Sequence, residues 1–240
     1  MRRNGPFIAT AAWSIPKTVA GCFPKTGSAL ERYAAVFNGV EINSTFYRHR
    51  QKKTFERWTS AVPAHFRFAA KIPREITHGA RLRNIGPLFD VLVDEVSALE
   101  GKLGPLLCQL PPSLRFDVAE AEEAFSAMRR IFTATLVLEP RHKSWASTPA
   151  RVLLQKYAIG RVLADPAPVW PVSDFRETPE YVRLHGTPQI YYSSYDDADI
   201  RRIADQLGAE SWCVFDNTAS GAAIENALVM RDYMAGRQDG

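Results

Sequence analysis

Glu41 stands between Val40 and Ile42, a lone carboxylate inside an apolar run. Strand alternation would turn its side chain to one face and its neighbours to the other. On an interior face that carboxylate must be paired or hydrogen-bonded. Lys71 raises the same question, since it follows Phe68-Ala-Ala and precedes Ile72-Pro73. It reads as an ion-pair partner of Glu41 or Glu139, an anion anchor, or a desolvated nucleophile. Three further polar groups follow along the chain: Glu139 with Arg141 and His142, Arg183 with His185, and Asp216 with Asn217. Glu41 and Glu139 would form an acid/base pair whose environments separate their proton affinities, with His185 as the alternative base. Lys71, Arg141 and Arg183 would bind a phosphate or carboxylate. Asn43 and Gln109 add hydrogen-bonding side chains, and Trp13, Tyr47, Trp145 and Tyr195 add apolar faces for a ring. For any one of these aromatics, ordinary packing is the favoured reading.

Other chemistries fit less well. Glu41, Glu139, Asp165, His185 and Asp216 include oxygen and imidazole donors suited to magnesium, manganese or zinc. There is no H-E-x-x-H or other tight ligand spacing, and the nearby cations oppose a metal. The sequence therefore requires no cofactor and assigns no metal ligand, while leaving a divalent metal open. A triad drawn from Ser44, His185 and Asp216 lacks the glycine-flanked serine turn of such hydrolases. No G-x-G-x-x-G or P-loop follows a strand. Asp216-Asn217 with Ser220-Gly221 offers a possible phosphate turn, and Asn226 on the last helix reads as a backbone-bonding residue. Arg48-His-Arg-Gln-Lys-Lys53, with Arg74, Arg81 and Arg83, forms basic loops that would suit nucleic acid, though a solvated surface is the simpler reading. His78 lies beside Gly79 on a long loop that would either cover a pocket or make a fixed loop contact.

These residues need a scaffold that brings distant segments together. Eight short runs read as strands: Phe7–Trp13, Gly39–Phe46, Phe66–Lys71, Pro105–Gln109, Thr135–Glu139, Arg161–Asp165, Tyr181–His185 and Ser211–Asp216. Their Val, Ile, Leu, Phe and Tyr content suits strands buried on both faces. Helical patterns lie between them. Ser28-Ala-Leu-Glu31 is a capping box, followed by Leu30, Tyr33, Ala34 and Phe37 on one face. Thr54–Ser60 reads as a short helix. Leu88, Leu92, Val96 and Leu99 stripe another, stopped by Gly101. Asp117 starts a helix striped by Ala121, Phe125, Met128 and Phe132. Thr148-Pro149 reads as N-cap and first turn, with Gly160 near that helix's end. Ile200, Ile203, Ala204 and Leu207 precede Gly208, and the last helix covers Ser220–Met234. Pro166–Pro179 offers no helical period. Strands alternating with helices imply a parallel sheet. Eight units in 240 residues give about 30 residues each, the size of a βαβ repeat. The fold class is therefore α/β, a single (β/α)8 TIM-type barrel over residues 1–235, with an irregular segment replacing the sixth helix and a tail over 236–240. In such a barrel the active site sits where the strands end. Polar residues lie at or just before the ends of seven of these eight strands, and Trp13 ends the other.

Composition agrees. Apolar residues make up 46% and charged residues 23%, which excludes a disordered or collagen-like chain. The net charge of +4 suits an anionic small molecule but does not require one. Three scattered cysteines, without C-x-x-C, argue against a disulfide framework and point to a reducing, cytoplasmic setting. No run is long enough to span a membrane. Met1-Arg2-Arg3 before Phe7–Trp13 is too weak a pattern for a secretory signal. The oligomeric state is not written in the sequence.

Several segments together resemble the YecE-like proteins, a family catalogued as domain of unknown function number seventy-two. They are Val40-Glu-Ile-Asn-Ser-Thr-Phe-Tyr-Arg48, Phe66-Arg-Phe-Ala-Ala-Lys71 with Ile76-Thr-His78, and Leu103-Gly-Pro-Leu-Leu-Cys-Gln-Leu-Pro-Pro112. Glu139-Pro-Arg-His-Lys-Ser-Trp145, Tyr181-Val-Arg-Leu-His-Gly186 and Val214-Phe-Asp-Asn-Thr218 complete the set. The resemblance spans nearly the whole chain. It implies a TIM-type barrel and no established reaction. Ala9-Thr-Ala-Ala-Trp-Ser-Ile15 departs from the family's glycine-containing opening, and Pro140 replaces the phenylalanine usual after the glutamate. The reaction expected from the residues is hydrolysis, lysis or isomerisation of a small anionic, carbohydrate-like or heterocyclic molecule.

Overall fold

Alternation divides each strand between two destinations, and the architecture follows from that division. The computed structural model describes residues 5–237. Eight parallel strands run β1 (Phe7–Thr10), β2 (Gly39–Ile42), β3 (Arg67–Lys71), β4 (Leu103–Gln109), β5 (Leu136–Glu139), β6 (Gly160–Asp165), β7 (Tyr181–Leu184) and β8 (Trp212–Phe215). They pair in the order β1-β8-β7-β6-β5-β4-β3-β2. A parallel bridge between Ala11 and Glu41 joins the two ends, with Ala12 N donating to Glu41 O at 2.9 Å. The chain is thus a (β/α)8 barrel of the TIM type.

The helices are α1 (Ala29–Ala34), the single turn α2 (Ser44–Tyr47), α3 (Lys52–Ser60), α4 (Gly86–Val96), α5 (Val118–Ile131), α6 (Thr148–Lys156), α7 (Asp197–Ala204) and α8 (Ala222–Gly236). Ser28 caps α1 through the expected reciprocal box with Glu31, and Asp117 caps α5 by accepting from Ala119 N and Glu120 N. Between β6 and β7 there is only a three-residue 3-10 turn, Val172–Asp174, so the sixth helix is indeed replaced.

Several boundaries differ from the sequence reading. β1 stops at Thr10, and β2 stops at Ile42 because Ser44–Tyr47 coils into a helical turn. Thr148 is the first residue of α6; Ser147 occupies the cap position. Gly160 opens β6, after Ala158 has already turned the chain with φ 49°. Gly236 closes α8, while residues 238–240 of the expected tail, and the Met1-Arg2-Arg3 opening, lie outside the described residues.

Outward side chains such as Ile42, Ala70, Leu138, Leu184 and Phe215 join the helices in the main core. Inward side chains form a second core of Ala9, Ala11, Ala69, Leu107, Val137, Val162, Tyr181, Trp212 and Val214. Trp212 fills the base of the lumen, stacked on Phe7 at 4.7 Å and on Tyr181 at 6.1 Å between ring centroids. Gly104 makes room for it, since a Cβ there would come within 2.6 Å of the indole. This apolar plug leaves the C-terminal half of the lumen to the polar residues above it.

Candidate functional site

The same inward positions, continued toward the strand ends, carry Glu41, Lys71, Gln109, Glu139, Arg183, His185 and Asp216. Arg183, fully buried, is the hub. Its Nε donates to Glu41 Oε2 at 3.0 Å and its Nη2 to Glu41 Oε1 at 2.8 Å. Its Nη1 donates to Glu139 Oε2 at 2.7 Å, and Nη2 also lies 3.0 Å from Asp216 Oδ2. Gln109 Oε1 is 3.5 Å from Nη1, at the edge of hydrogen-bond reach. Tyr181 donates its hydroxyl to Glu41 Oε2 at 2.9 Å. One guanidinium thus engages three carboxylates from β2, β5 and the end of β8.

A second chain of contacts rises toward the mouth. His185 places Nδ1 2.9 Å from Asp216 Oδ2 and Nε2 2.9 Å from Glu139 Oε1. An N–H on either ring nitrogen has a carboxylate acceptor. Arg141 Nη2 is 2.5 Å from Glu139 Oε1 and 2.9 Å from His185 Nε2. Tyr191 crosses the same imidazole edge-on at 5.8 Å. Burial pushes the Glu139 carboxyl up, but Arg183 above all, then His185 and Arg141, holds it well below the usual carboxylate range. Asp216 is also lowered: Arg183, His185 and Lys71 outweigh its burial.

Lys71 is different. It is only 8% exposed, yet its side chain makes no hydrogen bond or ion pair among the described residues. Its Nζ sits 4.3 Å from the centre of the Phe46 ring. Burial, then the positive charge of Arg183, pushes its ammonium down to about 8. Asn43 Oδ1 and Arg141 Nε are buried without a protein partner. Buried polar atoms are normally satisfied, so this mouth has unused donor and acceptor capacity.

Other anticipated residues are placed elsewhere or in supporting positions. Trp145 is buried beneath the loops, donating Nε1 to Leu114 O at 3.0 Å and packing on Phe116 and Phe125. Tyr195 donates its hydroxyl to Asp165 O at 3.0 Å and accepts from Gly186 N at 2.9 Å, fixing the loop after β7. Asn217 donates to Ser193 O and Asn226 Oδ1, both at 2.9 Å. Asn226 itself donates to Tyr195 O and accepts from Tyr195 N, so it holds loop backbone as its position implied. His142 Nδ1 accepts from Ser144 N at 3.1 Å. Trp13 packs edge-on against Trp58, and Tyr47 is 72% exposed on the turn after β2. His78 lies edge-on to Phe46 at 5.1 Å, beside Lys71.

Two tyrosines were not anticipated. Tyr181 was legible, since it lies two residues before Arg183 on one strand face. Tyr191 was not, because it sits in a loop with φ 71° and no periodicity. The other candidate chemistries meet specific obstacles. Among the described residues, no group of three His, Cys, Asp or Glu side chains is arranged to hold a metal. Arg183 already occupies the space between the carboxylates. Part of the basic run is matched by acids: His49 faces Glu75 and Glu95, and Lys52 bonds Asp94 at 2.6 Å. Arg83 likewise bonds Glu120. A cleft of about 510 Å³ lies at the other end of the barrel beside Pro6, Asn38 and Asp232, but it lacks the buried charge cluster found at the mouth. Among the described residues, no helix is long and apolar enough to cross a membrane.

Comparison with known proteins agrees with this fold. The family model described as "Protein of unknown function DUF72" matches residues 7–240, and the chain belongs to that family. The UPF0759 protein YecE of Escherichia coli is 35% identical over 106 residues. That segment covers 44% of this chain and only 37% of the relative's length. A DUF72 family protein from Thermotoga maritima has a solved structure with TM-score 0.79 and 22% identity, covering 96% of this chain and 99% of that one. Another from Enterococcus faecalis gives TM-score 0.78 and 19% identity, covering 95% of each chain. These two likenesses establish the shared fold.

Proposed function

We propose that this DUF72-family barrel binds a small anionic molecule at its C-terminal mouth and acts on it by proton transfer. The substrate class is a phosphate- or carboxylate-bearing compound, carbohydrate-like or heterocyclic. The observation that carries this reading is the sorting of charge by pairing. Three inward carboxylates are engaged by Arg183, whereas Lys71, on an inward position of β3, is left out of that network. Lys71 has no counter-ion contact among the described residues. A buried, unpaired cation is costly, and an arriving anion offsets that cost. Arg141 would add a planar fork suited to phosphate or carboxylate.

Proton transfer falls to Glu139 and His185, which meet at Glu139 Oε1 and Nε2. Asp216 orients the imidazole from its other side. Arg141 shares Glu139 Oε1, so an anion drawing Arg141 away would free that oxygen as an acceptor. Glu41, sealed under Arg183 and Tyr181, acts in this reading by fixing Arg183 and not by touching substrate. Such proton transfer would serve hydrolysis, elimination or isomerisation.

The test is calorimetric titration with inorganic phosphate, sugar phosphates and small carboxylic acids. Binding is expected, weakened ~10-fold or more in Arg141→Ala and in Lys71→Met, the scale of a charged hydrogen bond. Absence of binding across the series, or binding indifferent to both substitutions, would overturn the reading.

A further inference from the structure

Lys71 is held in a way that an electrostatic anchor does not require. Its backbone is fixed on both sides. Thr45 directs its hydroxyl to Lys71 O at 2.7 Å and to Ile42 O at 2.9 Å, and Ile72 N donates to Leu107 O at 2.9 Å. The turn that supplies Thr45 also supplies Phe46, whose ring lies under the amine. On an inward position of β3, the side chain is enclosed but Nζ is not among the sealed atoms. None of the neighbouring carboxylates is a direct partner, because Arg183 has taken Glu41, Glu139 and Asp216. His78 rests against the same Phe46 ring. The result is an enclosed amine without a salt bridge, seated over an aromatic ring that an imidazole also contacts.

From this geometry we infer that Lys71 is a covalent nucleophile that forms an imine with the carbonyl group of an anionic aldehyde or ketone. The inference rests on the anion-binding reading above and narrows its substrate class to carbonyl compounds. The neutral amine attacks the carbonyl carbon; a C–N bond forms and the C=O π pair moves to oxygen, which takes a proton. The nitrogen then gives up a proton, and the hydroxyl leaves with another as water. The net change converts the ammonium and the carbonyl compound into a protonated imine and one water. His78, against the same Phe46 ring, is the group that relays these protons. Burial, followed by the charges of Lys71 and Arg74, lowers its basicity, which keeps the ring available as an acceptor. Burial, then the charge of Arg183, leaves an appreciable share of Lys71 unprotonated near neutral pH. The imine is an electron sink, so a C–H or C–C bond beside the former carbonyl carbon becomes the bond the site breaks. Glu139 and His185 remain the acid/base groups.

The experiment traps the imine. The intact protein is incubated with glyoxylate or pyruvate and sodium cyanoborohydride, which delivers hydride to the imine carbon and leaves a secondary amine. Whole-protein mass and peptide mapping then locate the adduct. A single adduct on Lys71 is expected, formed at least ~10-fold faster than on any exposed lysine, because only the unprotonated amine is nucleophilic. Its rate should rise with pH through about 8. Lys71→Arg, which removes the amine nucleophile, should lose the adduct while the exposed lysines react as before. Lys71→Met, checked for folding by circular dichroism, guards against an arginine that does not fit. Adducts spread over surface lysines, with Lys71 unmodified, would overturn the inference. If phosphate still binds in that case, the anion-binding reading survives alone; if it does not, both fall.

Discussion

Arg183 and Glu41 lie 142 residues apart in the chain and meet through both arms of the guanidinium, Nε to Oε2 at 3.0 Å and Nη2 to Oε1 at 2.8 Å. Both side chains are wholly buried. Desolvating two charges is expensive, and the pair holds because further bonds from Tyr181, Glu139 and Asp216 satisfy the remaining atoms. Removing one partner leaves a buried charge without its counter-ion. Arg183→Ala should therefore lower stability by ~3–5 kcal/mol in urea unfolding. Arg183→Lys should recover little of it, since an ammonium cannot reproduce the fork. Glu41→Gln combined with Arg183→Met should cost less than the two single changes added together. Strict additivity would show that the two residues are not coupled.

Acid should weaken the fold through Glu139 and Asp216. Both carboxyls are held below their ordinary values in the folded barrel, against the upward push of burial, with Arg183 the main opposing charge. A depressed folded-state value means the stabilisation is complete above the unfolded-state range, near ~4. It is lost as pH falls below that range and through the folded values. Urea midpoints measured from pH 7 down to pH 2.5 should fall most steeply below pH 4. Glu139→Gln should show a shallower fall. An equal slope in the variant would place the acid sensitivity elsewhere.

Lys71 predicts a change of the same sign at alkaline pH. Its ammonium is lowered to about 8 in the folded protein, by burial first and Arg183 second. An unfolded lysine titrates near ~10.4. Between these values the unfolded chain binds more protons, so stability attributable to this site rises with pH. Lys71→Met should lack that rise. Sulfate, whose charge is constant in this range, should bind up to ~10-fold more weakly per pH unit above 8 if only the ammonium form holds it. Lys71→Arg should bind sulfate with little dependence on pH. A flat profile in the unaltered protein would remove Lys71 from the anion site.

What the sequence disclosed, and what it hid, follows from which residues had a defined direction. Glu41, Lys71, Gln109, Glu139, Arg183 and Asp216 occupy inward positions of short parallel strands, and the two-residue period alone assigns their face. Strand order then brings them together. Trp145 and Tyr195 had no such constraint, because both follow strands in irregular segments where side-chain type says nothing of direction. Tyr191 is invisible for the same reason, and its left-handed backbone is set by packing beyond its local sequence. Alternation also overran β2: Asn43-Ser-Thr-Phe46 continues a plausible strand pattern, but the chain turns there, bringing Thr45 and Phe46 to Lys71. The site's charges were legible; which charge lacked a partner was not, because that depends on Arg183 engaging three carboxylates at once.

Trp145 separates packing from ligand contact. It is 1% exposed, clasped edge-on by Phe116 and tilted against Phe125, and its indole N–H donates to Leu114 O. Trp145→Ala should cost ~3–5 kcal/mol of stability, the range for truncating a buried aromatic to alanine. Trp145→Phe should cost less, but it still leaves Leu114 O without its donor, a penalty of ~1–3 kcal/mol if water does not reach it. Since the ring is beneath the loops, phosphate affinity of the folded Trp145→Phe protein should stay within about twofold of the unaltered protein, a change below ~0.5 kcal/mol. Unfolding curves and calorimetry on the same sample make the comparison. Full stability with weakened phosphate binding would reverse the assignment and put the indole at the ligand.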